Sequence, residues 1–178
     1  MQEKLFKPLG MTTAGFGVPG SRYIDHPWGH ILPNPGAPPG GGNVPSPIMS
    51  WLYADNPPAI GPSASMHCSL VDFGKYLAFH IEAHHGRSKL LSRESALKLH
   101  MGHPNEPPYG YGWNVFNYPW GGGAKVLTHT GTTQQTFSNT WLAPGREFAV
   151  LTVCSLGGAT SFATVEMIAE RMVEEFLN

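Results

Sequence analysis

Residues 125–153 read KVLTHTGTTQQTFSNTWLAPGREFAVLTV, and their period decides the fold. Apolar and β-branched residues come in short runs separated by polar turn-formers, which is the pattern of strands and not of helices. Lys125 to Thr130, Thr136 to Leu142 and Glu147 to Val153 each read as a strand, with Ala143-Pro144-Gly145-Arg146 as the hairpin turn between the last two. Phe148 to Val153 is nearly continuous apolar, which suits a strand covered on both faces and predicts a place inside the sheet, away from its rim. Just upstream, within the stretch that begins at Tyr109, Gly112 to Phe116 reads as a further strand.

Helices flank this block. Ser69-Leu70-Val71-Asp72 places an N-cap acceptor and an acidic residue three positions on, an acidic variant of the capping box. Leu70, Phe73, Leu77, Ile81 and His84 follow at helical spacing, and Gly86 supplies a left-handed exit. A shorter helix is predicted from Ser92 to His100, with Leu97 and Met101 turned inward. After Gly157-Gly158, a helix from Ser161 to Leu177 carries Val165, Ile168, Ala169, Met172 and Phe176 on one stripe, with Glu166, Glu170, Arg171, Glu174 and Glu175 away from it.

The first third of the chain is different. Gly15 to Pro62 is rich in Pro, Gly, Asn and aromatic residues and keeps no period. Tyr23, Trp28, Ile31, Ile48, Trp51 and Tyr53 are costly to leave in water, so the stretch is expected to be an ordered covering loop. The chain of 178 residues thus divides into a Gly/Pro-rich loop region (1–62), a helical part (63–104) and antiparallel strands with a terminal helix (105–178), and its length predicts a single domain.

Composition narrows the function classes. Eleven basic against twelve acidic residues, with no Lys/Arg cluster, lack the electrostatic footprint of a nucleic-acid partner or an anionic membrane. No apolar run reaches a membrane span, and MQEKLFKPLGM has no signal-peptide apolar region. Cys68 and Cys154 make no disulfide framework; two buried free thiols are favoured over a single bridge, and the redox compartment stays open.

Several motifs suggest chemistry. His80 and His84 share a helical face at i, i+4, but no third ligand stands at a telling spacing, so partly exposed helix histidines are expected and no metal. Ser95-Ala96-Leu97-Lys98 matches the Ser-x-x-Lys pattern in which a lysine one turn on activates a hydroxyl, yet it sits in an amphipathic surface helix. Gly40-Gly41-Gly42 and Gly121-Gly122-Gly123 read as turns, since neither follows a strand and opens a helix.

His129-Thr130-Gly131 at the end of its strand is more informative. Here the sequence resembles the serine β-lactamase and penicillin-binding-protein-like hydrolases, in the branch with His-x-Gly where others have Lys-Thr-Gly. Further pieces follow in the family's order: Lys7-Pro8-Leu9-Gly10-Met11-Thr12-Thr13 is similar to "PLGM..T", and Ser69 to Leu77 to "S..D...F". Leu90-Leu91-Ser92 resembles "LLS", Tyr109-Gly110-Tyr111-Gly112-Trp113 resembles "YG.GW", and Trp141-Leu142-Ala143-Pro144 fits the closing hairpin.

The resemblance implies the carboxyl-terminal half of an α/β (α+β) sandwich: three or so antiparallel strands, the terminal helix on one face, and the other helices with the Gly/Pro-rich loop as a partial second layer. In that family the Ser-x-x-Lys and Tyr-x-Asn/Ser motifs precede the PLGM segment, so no catalytic residue is expected in this chain and Ser95 falls in the wrong helix. His129, Thr130 and Gly131 then match the third active-site motif lining the substrate cleft, and the backbone N–H of Thr132 matches an oxyanion-hole donor. Histidine in place of the family's lysine favours esterase or peptidase-like activity over strong β-lactam hydrolysis. A plain edge strand with an incidental histidine is the competing reading of this segment.

Two functions therefore stand beside each other. One is part of a serine hydrolase, inactive alone, whose complete form takes a small ester, amide or β-lactam and uses no cofactor. The other is a non-catalytic binding or assembly module that retains the scaffold. In either case the expected partner is a missing amino-terminal half or a second copy of the chain, because the apolar strand would otherwise present an unpaired edge. Family resemblance leans towards an exported or periplasmic protein; the compartment is not fixed by the residues themselves.

Overall fold

In the computed structural model, residues 1–18, 26–34, 36–37, 40–48, 55–105, 108–133 and 135–177 are described. Their centre is a five-stranded antiparallel meander of β1 (Tyr109–Gly110), β2 (Trp113–Phe116), β3 (Val126–Thr132), β4 (Phe137–Ala143) and β5 (Phe148–Cys154), in that spatial order. Helix α1 (Leu70–His84) lies on one face with α2 (Arg93–Leu99) packed against it, and α3 (Ala159–Leu177) lies on the other face. The mixed helices and antiparallel sheet make this an α+β fold.

Side-chain alternation along the strands builds two cores. Leu77, Trp113, Val115, Leu127 and Leu142 fill the space beneath α1, with Phe73, Tyr76 and Ile81 packed against them. Trp141, Val150, Ala169 and Val173 fill the space beneath α3. Successive residues of β5 serve opposite cores: Ala149 and Leu151 join the first, Phe148 and Val150 the second. The apolar run is therefore covered on both faces, as its composition requires. It is not inside the sheet, however: among the described residues β5 pairs only with β4, so it is a rim strand. Continuous apolarity reports covered faces and carries no information about edges.

The helix ends follow their local chemistry. Ser69 caps α1, its Oγ accepting from Asp72 N–H. At the other end Gly86 (φ +74°) turns left-handed while Arg87 N–H donates to Glu82 C=O and Gly86 N–H to Ala83 C=O, the paired bonds of a Schellman motif. Ser92 caps α2 through Ser95 N–H. Asp72 does not close a capping box: Thr13, 59 residues away, takes both ends of that arrangement. Thr13 N–H and Oγ1 donate to the Asp72 carboxylate, and Ser69 N–H donates to Thr13 Oγ1. Lys75 Nζ bridges Asp72 and the Gly10 carbonyl. These bonds, led by Lys75, hold the Asp72 carboxyl down at about 2.

Several inward stripes are rotated from expectation. On α1 the buried positions are Asp72, Leu77, His80 and Ala83, while Leu70 is exposed. On α2 Ala96 and the capping His100 face inward, and Met101 is exposed. On α3 the stripe is Ser161, Val165, Ala169 and Val173, with Ile168 and Phe176 outside. Glu166 faces the sheet and accepts from Asn139 Nδ2 at 2.6 Å, because β4 brings a buried amide that needs a partner. Five strands stand where the residue pattern gave four and the resemblance implied three or so; the fifth is Tyr109–Gly110, which pairs back on β2.

The described parts of the Gly/Pro-rich region form two-residue ribbons, Gly15–Phe16 with Met66–His67 and His30–Ile31 with Ser46–Pro47. His30 N–H donates to Gln135 C=O, and the His30 ring meets Ser155 C=O at 3.0 Å, so this region docks at the end of the sheet. Trp28 and Ile48 are half-buried and Ile31 is exposed; Tyr23, Trp51 and Tyr53 lie outside the described residues.

Candidate functional site

A groove of about 660 Å³ opens between the amino-terminal end of α1 and the sheet. Phe73 and Tyr76 of α1, with Phe6 and Met11, make its apolar wall; burial pushes the Tyr76 phenol up. The exposed Tyr109 and Tyr111 and the buried Trp113 line it as well, and His129 to Thr132 of β3 with Ser138 and Thr140 of β4 form the floor.

The floor owes its form to a mismatch in strand lengths. β3 pairs with β2 only as far as Thr128, opposite Asn114. Residues 129–132 run on beyond the hairpin, paired with Thr140 to Phe137 of β4 alone. Asn114 Nδ2 donates to Thr128 C=O, so that carbonyl points towards β2. Backbone groups two residues apart point the same way, so Thr130 and Thr132 direct theirs to the side where β2 has ended. His129 and Gly131 share the face of Leu127, towards the groove; the exposed His129 ring lies 6.3 Å from that of Tyr109. Gly131 answers a close approach, since a Cβ there would stand 3.0 Å from Ser138 Oγ. The Thr132 hydroxyl donates to Thr136 C=O and holds the β3–β4 turn.

The structure thus gathers the four residues singled out from the sequence, His129, Thr130, Gly131 and Thr132, into one groove floor. It also adds Tyr109, Tyr111, Ser138 and Thr140. The tyrosines belong to a hairpin whose Tyr-Gly turn lacks the Asn-Gly signature, so that sequence reading passes over it.

The other motifs fall elsewhere. Ser95 and Lys98 are exposed on α2, and Ser95 Oγ is hydrogen-bonded to Ser92 Oγ at 3.0 Å. His80 is not partly exposed; it is buried at 2% exposure, and α2 brings His100 against it at 2.9 Å. His100 meets His80 through Nε2 and His84 through Nδ1, so the three rings form a chain with no common focus. Among the described residues no three or more His, Cys, Asp or Glu side chains are placed to hold a metal ion. Cys68 and Cys154 are free and half-buried; burial, with the charge of Asp72, pushes the Cys68 thiol up to about 11. No helix among the described residues is long and apolar enough to cross a membrane.

An antiparallel sheet between helical layers, with one inner strand outrunning its neighbour at a groove, defines a scaffold of the α+β class. A family profile described as Beta-lactamase matches residues 1–169, and the chain belongs to that family. A solved structure described as "Crystal structure of SurE" superimposes with a TM-score of 0.69 at 17% identity, over 99% of this chain and 39% of that one. At that identity the likeness concerns the fold alone, and this chain spans well under half the length of that one. No curated protein sequence matches the chain.

Proposed function

We propose that this chain is the carboxyl-terminal part of a β-lactamase-like serine hydrolase, which transfers the acyl group of an ester, amide or β-lactam to water. The observation that carries the reading is the four-residue overhang of β3, which offers a strand edge along a groove large enough for a small acyl compound. Substrate lies along that edge, and Thr132 N–H donates to the carbonyl oxygen as it becomes an oxyanion. His129 lines the cleft and steadies the substrate's carboxylate or carbonyl end. The nucleophilic serine, its lysine and the tyrosine come from a preceding part of the enzyme, which also supplies the strand that pairs with the open edge of β5. The outward placement of Ser95 and Lys98 supports this division, because neither reaches the groove.

The test is turnover of p-nitrophenyl acetate by the chain alone and by the chain joined to the residues encoded immediately upstream. Hydrolysis is expected only with the upstream part. Equal inactivity of both proteins, each well folded, would favour a non-catalytic module that keeps the scaffold.

A further inference from the structure

A second cavity, of about 140 Å³, lies beside the groove. The two share Ala64, Met66, Thr133 and Thr136 in their walls, so they meet at the β3–β4 turn. Asp55 lines this cavity, with its Oδ1 accepting from Asn56 N–H at 2.7 Å. Its Oδ2 is buried and has no hydrogen-bond partner among the described residues. No lysine or arginine lines the cavity; its other titratable side chains are His26 and His67, the latter with Nδ1 held by Gly17 C=O at 2.7 Å. A buried carboxylate oxygen without a donor costs stability, and a cation is the partner that offsets it. The shape of the site decides which cation. Among the described residues no three ligating side chains converge as a metal would need, whereas Val18, Pro27 and Ile48 give the cavity an apolar wall suited to methylene groups. At about 30 Å³ for each water-sized group, the space takes about four or five non-hydrogen atoms.

We propose that this cavity is a subsite for a primary ammonium group on a short methylene stem, with Asp55 Oδ2 accepting from the ammonium. The neighbouring groove then takes aminoacyl compounds such as β-alanyl esters: the carbonyl lies at the β3 overhang, and the ammonium passes the β3–β4 turn to Asp55. The substrate class rests on the hydrolase reading; the ammonium subsite does not.

Binding to the whole chain is measured at pH 8, above the ordinary histidine range, by amide shifts of Ser65, Thr133 and Gln135. The probe is propylammonium chloride, with 1-propanol as the uncharged control of equal size and sodium chloride as the inorganic one. Propylammonium should bind about tenfold or more tighter than either control. Asp55→Asn keeps the shape and removes the charge, and should weaken propylammonium about tenfold or more without lowering the thermal midpoint. Equal binding of 1-propanol, equal shifts with sodium chloride, or unchanged propylammonium affinity in a folded Asp55→Asn overturns the subsite. In the upstream-extended protein, Asp55→Asn should lower the ratio of kcat/KM for p-nitrophenyl β-alaninate to that for the butanoate about tenfold or more. Asp55-dependent propylammonium binding without turnover of either ester refutes the hydrolase reading alone. Turnover of both esters at a ratio that Asp55→Asn leaves unchanged refutes the ammonium subsite alone.

Discussion

The buried histidine pair between α1 and α2 makes the fold sensitive to acid before any carboxylate titrates. His80 is enclosed by the rings of Tyr76, Phe79 and Trp113, and its Nε2 has no hydrogen-bond partner among the described residues. Burial brings His80 down to about 4, and burial with the neighbouring histidines brings His100 down to about 3. In the unfolded chain both rings titrate near the ordinary value of about 6.5. Between that pH and the folded values the unfolded state binds more protons, so stability is full above about 6.5 and falls as pH drops. For His80 alone the loss between pH 7 and pH 5 is about 2 kcal/mol, and His100 adds to it in the same direction. His84, packed on His100 and lowered by burial and by the charges of His85 and Arg93, contributes with the same sign. The assay is urea unfolding at pH 7, 6 and 5, beside the double variant His80→Phe/His100→Leu, which removes both partners and leaves neither unpaired. The parent should lose about 2 kcal/mol or more across this range and the variant much less. A parent whose stability is flat from pH 7 to pH 5, or a variant that falls equally, would refute the reasoning.

Other outcomes follow from the same structure. Thr13→Val removes the hydroxyl that ties the PLGM segment to Asp72 and Ser69 and should cost about 1.5–3 kcal/mol by thermal or urea unfolding; an unchanged midpoint would show that this knot does not hold the segment. The isolated chain should take no covalent label from a β-lactam or fluorophosphonate probe, and stoichiometric label at Ser95 by mass spectrometry would place the nucleophile inside it. With one edge of β5 unpaired among the described residues and Val153 53% exposed, the chain should sediment as a dimer or larger species at micromolar concentration. Val153→Lys should shift it towards monomer, and a well-folded monomer of the parent would contradict the prediction.

Local signals were readable wherever one residue type answers one backbone need. The caps Ser69 and Ser92, the exit at Gly86 and the four strands read from the pattern lie within a residue or two of where their patterns put them. The family-like segments also acquire physical meanings: Gly10, Thr13, Ser69, Asp72 and Lys75 form one hydrogen-bonded knot, and Gly110 is needed because a Cβ there would stand 2.6 Å from Met101 C=O. What escaped the sequence depends on partners distant along the chain. The burial of His80 needs His100, the inward turn of Glu166 needs Asn139, and the rim position of β5 depends on which strands surround it. The groove residues were legible only as far as His129 to Thr132, because Tyr109 to Trp113 reads as a family-like strand and its Tyr-Gly turn lacks the Asn-Gly signal that would have shown it folding back as a hairpin.

The most direct measurement of the central claim is kcat/KM for an activated ester, made on the chain joined to its upstream region, with and without His129→Ala. His129 is exposed and contributes to neither core, so its removal should leave the unfolding midpoint nearly unchanged. The account predicts a fall in kcat/KM of about tenfold or more at equal stability, as expected when a cleft side chain supports the reaction and not the fold. An unchanged kcat/KM in the folded variant would contradict it and remove His129 from the site.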